Sequence, residues 1–276
     1  MTILLVIGNI GMTLTDIIEE NKVAGVTVRN INKKDDLGTL GKCFVKETEL
    51  VIVVANLRDQ TEGSLALQAV KAAKESGKVT VAVLTIPDIY EGEKKFLRAL
   101  DAAEEIGRKA DSLLIINKIT FNNPVSPCTR EELSSSLVSE EQIIADVIQN
   151  MISLISGSGS IKIDLDNLKD ALMESGIFRI VSGCGIGKNR IRIALKKALS
   201  SPLLKHCDIY SARNIIIKIL SPKNAPANMK EIQKLSQFVE ELPAPINMTW
   251  GMGESDEDDI LSVIFLASGF DVKLTE

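Results

Sequence analysis

The chain is expected to fold as an α/β protein with a parallel-sheet N-terminal domain, a long central helix and a smaller α+β C-terminal domain. Three observations predict this. Apolar runs such as Ile3-Leu4-Leu5-Val6-Ile7 and Leu50-Val51-Ile52-Val53-Val54-Ala55 have the character of strands buried on both faces of a parallel sheet. They alternate with helical segments rich in Ala, Glu, Lys and Leu, which calls for right-handed crossovers with helices on both faces. Finally, 276 residues exceed one typical domain, and 45% hydrophobic with 25% charged residues is ordinary globular composition, so two folded domains are expected rather than disorder.

The first strand, 3–7, ends at Gly8, and a helix follows over 13–21. Val26-Thr27-Val28 is the second strand and 50–55 the third. Over 64–76, Leu65, Leu67, Ala69, Val70, Ala72 and Ala73 make a helical pattern, with Gly77 placed as its C-terminal cap. Residues 79–85 give a strand, 93–109 a long helix and 113–116 one more strand. From 121 to 139 the composition shifts to Asn, Pro, Ser and Thr, the mark of an irregular connection. Ile143, Ile144, Val147, Ile148, Met151, Ile152 and Ile155 then recur at spacings of three and four, one wide apolar stripe on a helix over 140–155. Ser156-Gly157-Ser158-Gly159-Ser160 ends it. These signals divide the chain into 1–139, a central helix at 140–156, and 157–276. The last part reads as helix 165–175, strand 179–182, helix 190–200, strand 214–220, helix 229–240 and strands 246–250 and 259–267. The acidic run Glu254 to Asp259 falls between the last two strands and reads as a solvated hairpin turn rather than a metal site.

Several function classes are disfavoured. With 32 basic against 37 acidic residues and a net charge of −5, no electropositive field draws in nucleic acid. Cys43, Cys128, Cys184 and Cys207 are scattered, with no CxxC pair and one histidine, His206, so no metal site or disulfide framework is predicted. They fit the reduced thiols of a cytoplasmic protein. The run 3–7 is too short to cross a membrane, and no direct membrane insertion is expected. A lone histidine, reading as a surface or capping residue at a helix exit, leaves no base for a Ser or Cys triad. Gly183-Cys184-Gly185-Ile186-Gly187-Lys188-Asn189 departs from the GxxxxGK[ST] phosphate loop at Ser182 and Asn189, and reads as a Gly-rich turn between strand and helix. Gly8-Asn9-Ile10-Gly11 lies directly after the first strand, where backbone amides and a helix N-terminus can hold phosphate. It does not supply GxGxxG, which argues against a plain dinucleotide-binding enzyme.

Taken in order, several segments resemble FtsZ of the tubulin/FtsZ superfamily. Ser201-Pro202-Leu203-Leu204 with Asp208, Ala212 and Arg213 is similar to the family's SPLL...D...AR segment, and Val79 to Thr85 resembles its TVAVVT strand. Glu91-Gly92-Glu93-Lys94-Lys95, Ala110-Asp111-Ser112-Leu113-Leu114 and Ala267-Ser268-Gly269 add to these, keeping family order from residue 3 to about 270. The resemblance implies a tubulin/FtsZ-like fold with a Rossmann-like nucleotide-binding domain that takes GTP or GDP, and Mg²⁺ only alongside nucleotide. It also implies hydrolysis completed by the loop after the central helix of a neighbouring subunit.

The family's signatures are altered. GGGTGTG falls on Arg58-Asp59-Gln60-Thr61-Glu62-Gly63-Ser64, where only Thr61 keeps its type. Glycines there let consecutive amides approach phosphate, whereas Asp59 and Glu62 add like charge. At about 5 Å and an effective dielectric near 20, each pair costs on the order of 3 kcal/mol before screening. The segment 30–49 is also short for a loop over a γ-phosphate. Asn30-Ile31-Asn32 falls on the NTD element and Asn117-Lys118 on the ND pair, each keeping its Asn. The implied nucleotide contacts are thus Gly8, Asn9, Gly11, Asn30, Thr61, Gly63 and Asn117. After the central helix, 159–167 falls on GxxNxDxxD, with Gly159 and Asp164 matching, Lys162 in place of Asn and Asn167 in place of the second Asp. Asp164 and Asp166 are the catalytic candidates, and equally they are carboxylates that open the next helix. The expectation is an FtsZ-like cytoskeletal or cell-division protein, acting through self-association or contact with another FtsZ-like subunit, whose GTPase activity is weak or lost. The alternative is an active, filament-forming GTPase.

Overall fold

The computed structural model describes residues 2–8, 26–31, 44, 46–117, 140–156, 159–204, 207–240, 245–255 and 257–270. The helix expected at 13–21, the connection at 121–139, and Asn9, Gly11, Lys118, Cys43, Cys128 and His206 lie outside them. In the first half, β1 (Thr2–Ile7), β2 (Val26–Ile31), β3 (Leu50–Asn56), β4 (Val79–Ile86) and β5 (Ser112–Asn117) are all parallel. Helix α1 (Gln60–Glu75) joins β3 to β4, and α2 (Glu93–Gly107) joins β4 to β5. The central helix α3 (Glu140–Ile155) precedes α4 (Leu165–Leu172), β6 (Gly176–Ile186), α5 (Arg190–Leu199), β7 (Asn214–Pro222), α6 (Met229–Glu240), β8 (Asn247–Ser255) and β9 (Ile260–Ser268). Among the described residues the strands form one sheet in the order β2-β1-β3-β4-β5-β6-β9-β7-β8.

Strand alternation sorts the N-terminal core into two layers. Ile3, Leu5, Ile7, Val51, Val53, Ala82 and Leu84 point to one face, where Leu65, Ala69, Val70 and Ala73 of α1 and Ala99, Ala103 and Ile106 of α2 cover them. Leu4, Val6, Ile52, Val54, Val83 and Leu114 point to the other, and the α3 stripe of Ile143, Ile144, Val147, Ile148 and Met151 is buried with them. That second layer continues without a break into Phe178, Ile215, Ile217, Val263 and Phe265 of the C-terminal strands. β5 and β6 pair at only two positions, Ser112↔Gly176 and Leu113↔Ile177.

Three local expectations need correction. β6 does not stop at Ser182; the Gly-rich segment continues as strand to Ile186. A Cβ on Gly183 would collide with the carbonyl oxygen of Ala194 and lie 2.5 Å from Ala198 N, so the glycines let α5 lie directly on the strand. β8 likewise runs past Trp250, because Gly251 makes room for Ile163, whose Cγ1 would stand 2.7 Å from an added Cβ. Finally, the acidic segment is not a hairpin. β8 pairs parallel with β7, whereas β9 pairs antiparallel with β7 and β6, so the connection crosses the end of β7. Asn224 Nδ2, just beyond β7, donates to Asp258 at 3.0 Å and holds that crossing.

Candidate functional site

The C-terminal ends of the parallel strands stand in one row, with Ile7 opposite Ile31 and Ala55, Asn56 opposite Thr85, and Ile86 opposite Asn117. This is the edge where open α/β sheets bind ligands. The row places Gly8, Asn30 and Asn117 along that edge, while Thr61 and Gly63 stand in the first turn of α1, which follows β3. Gly8 adopts φ +82°, which favours glycine, and its N–H donates to Ile31 O at 3.1 Å. Asn30 is exposed near the end of β2, and Asn117 is the last residue of β5.

Between Asn56 and Ser64 the chain forms a compact turn and helix start. Leu57 N donates to Thr85 O at 2.8 Å, tying the turn to β4. Asp59 is the N-cap of α1: its carboxylate accepts from Thr61 N at 2.7 Å, and its carbonyl accepts from Gly63 N at 3.2 Å. This cap starts α1 four residues before the apolar periodicity begins. Glu62 follows in the first turn, and its carboxylate occupies the space a Cβ on Gly8 would take. Two carboxylates of the chain therefore sit at the positive end of α1. Thr61 is exposed, and Gly63 is buried against Leu57 and Ala102.

At the far end of α3, Lys218 from β7 donates to the carbonyls of Ser153, Leu154 and Ser156 at 2.7, 3.0 and 2.6 Å. Burial lowers its ammonium to about 8. The following segment lies along the sheet edge, where Met252 N donates to Ile161 O at 2.8 Å. Asp164 then caps α4 in a reciprocal box, accepting from Asn167 N at 2.8 Å while Asn167 Oδ1 accepts from Asp164 N at 3.1 Å. Asp166 is exposed and pairs with Lys169 at 2.7 Å. Lys169 also reaches Glu49. Its ammonium is held above the ordinary lysine value by its bonds to Asp166 and Glu49, while Glu49 is held below the carboxylate norm by the same lysine.

No model of a known protein family matches the sequence. Individual relatives do. The chain is 27% identical over 230 residues to the cell division protein FtsZ of Porphyromonas gingivalis and 25% identical over 232 residues to that of Aquifex aeolicus, covering 83% of itself in both. An FtsZ dimer from M. jannaschii superposes with TM-score 0.80 at 18% identity, over 99% of this chain and 90% of that one. This is an FtsZ/tubulin-superfamily protein. It spans 50% and 62% of the length of those two FtsZ relatives. The fold is shared further, for a CetZ2 protofilament from Haloferax volcanii bound to GTPγS superposes with TM-score 0.71 at 13% identity, over 97% and 92% of the two chains.

In this superfamily member, the two residues that fall on the family's loop carboxylates, Asp164 and Asn167, are bonded to each other in the capping box. Sequence reasoning missed Lys218, although a single lysine inside the run Ile215-Ile216-Ile217-Lys218-Ile219-Leu220 is a visible signal. It also missed Asp111, whose buried carboxylate accepts from Lys74 Nζ at 2.9 Å, Thr80 N at 2.8 Å and Glu174 N at 3.2 Å. Among the described residues there is no group of three or more His, Cys, Asp or Glu side chains able to hold a metal, and no helix is long and apolar enough to cross a membrane.

Proposed function

We propose that this chain is a cytoplasmic, FtsZ-like cytoskeletal or cell-division protein that works by associating with itself or with another FtsZ-like subunit, and that its GTPase activity is weak or lost. Its working parts are an N-terminal unit at 1–139, the central helix at 140–156 and a C-terminal unit at 157–276. The observation that carries this reading is the closure of the α1 N-terminus by Asp59 and Glu62, with the Glu62 carboxylate against Gly8. A triphosphate held there in the family manner would meet two carboxylates in place of glycine amides, and the residues present do not fit it. Asn167 carries no carboxylate to orient water or accept a proton, which also favours slow or absent hydrolysis. Self-association draws support from the dimer and the protofilament among the solved relatives. The net charge of −5 gives no reason to expect nucleic acid.

The test is calorimetric titration with GTP and GDP in the presence of Mg²⁺, joined to light scattering with and without GTP. Weak or undetectable binding and GTP-independent scattering are expected. GTP turnover that climbs steeply with protein concentration would overturn the proposal and favour the alternative, an active GTP-binding, filament-forming GTPase using Asp164 and Asp166. That alternative is supported by the positive φ of Gly8 and by the row of strand ends that gathers Gly8, Asn30 and Asn117.

A further inference from the structure

Arg58 stands in the turn between β3 and α1, with its backbone fixed on both sides. Its N–H donates to Asn56 Oδ1 at 3.0 Å, and its carbonyl accepts from Arg98 Nη2 at 2.9 Å. From that anchored position the guanidinium reaches two other segments. Nε and Nη2 fork onto the two oxygens of Glu91 at 3.1 and 3.3 Å, and Nη1 donates to Glu140 Oε2 at 2.6 Å. Glu91 belongs to a 3-10 turn, Ile89–Glu91, which follows β4 and is itself closed by a capping box with Asp88. Glu140 is the first residue of α3. One planar side chain thus joins the turn after β3, the turn after β4 and the start of the central helix.

The ion pair differs from an ordinary surface bridge. The Glu140 side chain is 14% exposed against 33% for Arg58, so solvent screens the contact poorly on the glutamate side. The second oxygen, Glu140 Oε1, is buried and has no hydrogen-bond partner among the described residues, so loss of Arg58 would strand the whole carboxylate. Burial pulls the Arg58 guanidinium down, but its bonds to Glu140 and Glu91 outweigh burial and hold it above the ordinary arginine value.

A ligand at the C-terminal ends of parallel strands gathers the loops that follow those strands. We propose that Arg58 does this from within: it latches the two loops and the central helix into one body, holding the arrangement used for self-association without nucleotide. The link to association rests on the function proposed above, whereas the bracing rests on the ion pairs alone.

Hydrogen exchange read by mass spectrometry, with sedimentation velocity on the same samples, tests both parts. The full chain is compared with Arg58→Met, Glu140→Gln and the double variant, each checked by circular dichroism, with and without GTP or GDP. In the unaltered chain, protection over 88–92 and over 144–148, the first amides of α3 bonded within the helix, should be the same with and without nucleotide. Each single variant should exchange faster there by about 10- to 100-fold, the size of one charge-assisted bond. The double variant should exchange no faster than Arg58→Met alone, because that change already breaks the Glu140 contact together with the Glu91 fork. Self-association should weaken about as much. Unchanged exchange in both single variants, or protection of these segments only after nucleotide is added, overturns the latch. Unchanged association in spite of faster local exchange overturns its link to assembly. An unaltered chain that keeps the local protection but never associates leaves the latch standing and removes the proposed function instead.

Discussion

Replacing Lys218 with methionine should alter stability in a manner that depends on pH. The lysine is 3% exposed in the middle of β7, and its ammonium caps three carbonyls at the C-terminal end of α3, groups that a helix cannot satisfy internally. Burial lowers its pKa from 10.5 to about 8. The sign follows from which state keeps the proton. Below about pH 8 both folded and unfolded chains are protonated at this site, and stability carries the full cost of a buried ammonium. Above it the folded chain releases its proton while the unfolded chain keeps it to about 10.4, so wild-type stability rises by up to about 1.4 kcal/mol per pH unit. A methionine side chain has no proton to release. The free-energy difference between wild type and Lys218→Met should therefore be flat near neutrality and move in favour of the wild type by about 2–3 kcal/mol by about pH 10. Urea unfolding of both proteins, followed by circular dichroism across that range, measures the difference, in which every other titrating group cancels. A difference that stays level from about pH 7 to 10 would refute the reasoning.

Gly183→Ala should destabilise by about 1–3 kcal/mol or more, since its Cβ has to push α5 away from β6; a shift in the urea midpoint reads this. Glu231→Ala removes the partner of Arg190, which is 8% exposed and bound at 2.8 and 3.1 Å, and should cost about 3–5 kcal/mol in the same assay. Asp164→Ala should cost about 1 kcal/mol through the lost cap, whereas Asp164→Asn, which keeps an accepting oxygen, should cost less. GTP turnover that Asp164→Asn abolishes would instead assign the carboxylate to chemistry.

Much of the fold was legible because its signals are local. The alternating runs of β1, β3, β4 and β5 and the stripe on α3 follow from residues a few positions apart, and α6 appears over the residues its periodicity marks. Readings failed where a distant element decides. Gly183 and Gly185 look like a turn until α5 lies on them, and the acidic segment looks like a hairpin until β7 is found between its flanking strands. Of the site, the types and order of the candidate residues were readable, but their partners were not. Asp59 and Asn167 looked like losses from a phosphate loop and a catalytic pair; in space each holds a helix end.

By itself, then, the sequence determined the parallel sheet, the central helix, the resemblance to FtsZ and the loss of glycines at Arg58 to Ser64, because each depends on residue type and spacing along the chain. Only the tertiary structure decided that Glu62 lies against Gly8, that Arg58 reaches Glu91 and Glu140, and that Lys218 closes α3. Arg58 and Glu140 are separated by 82 positions and Lys218 lies 62 from Ser156, and no periodicity spans such intervals. Charge placement in this protein is settled by which strands, turns and helix ends the fold brings side by side.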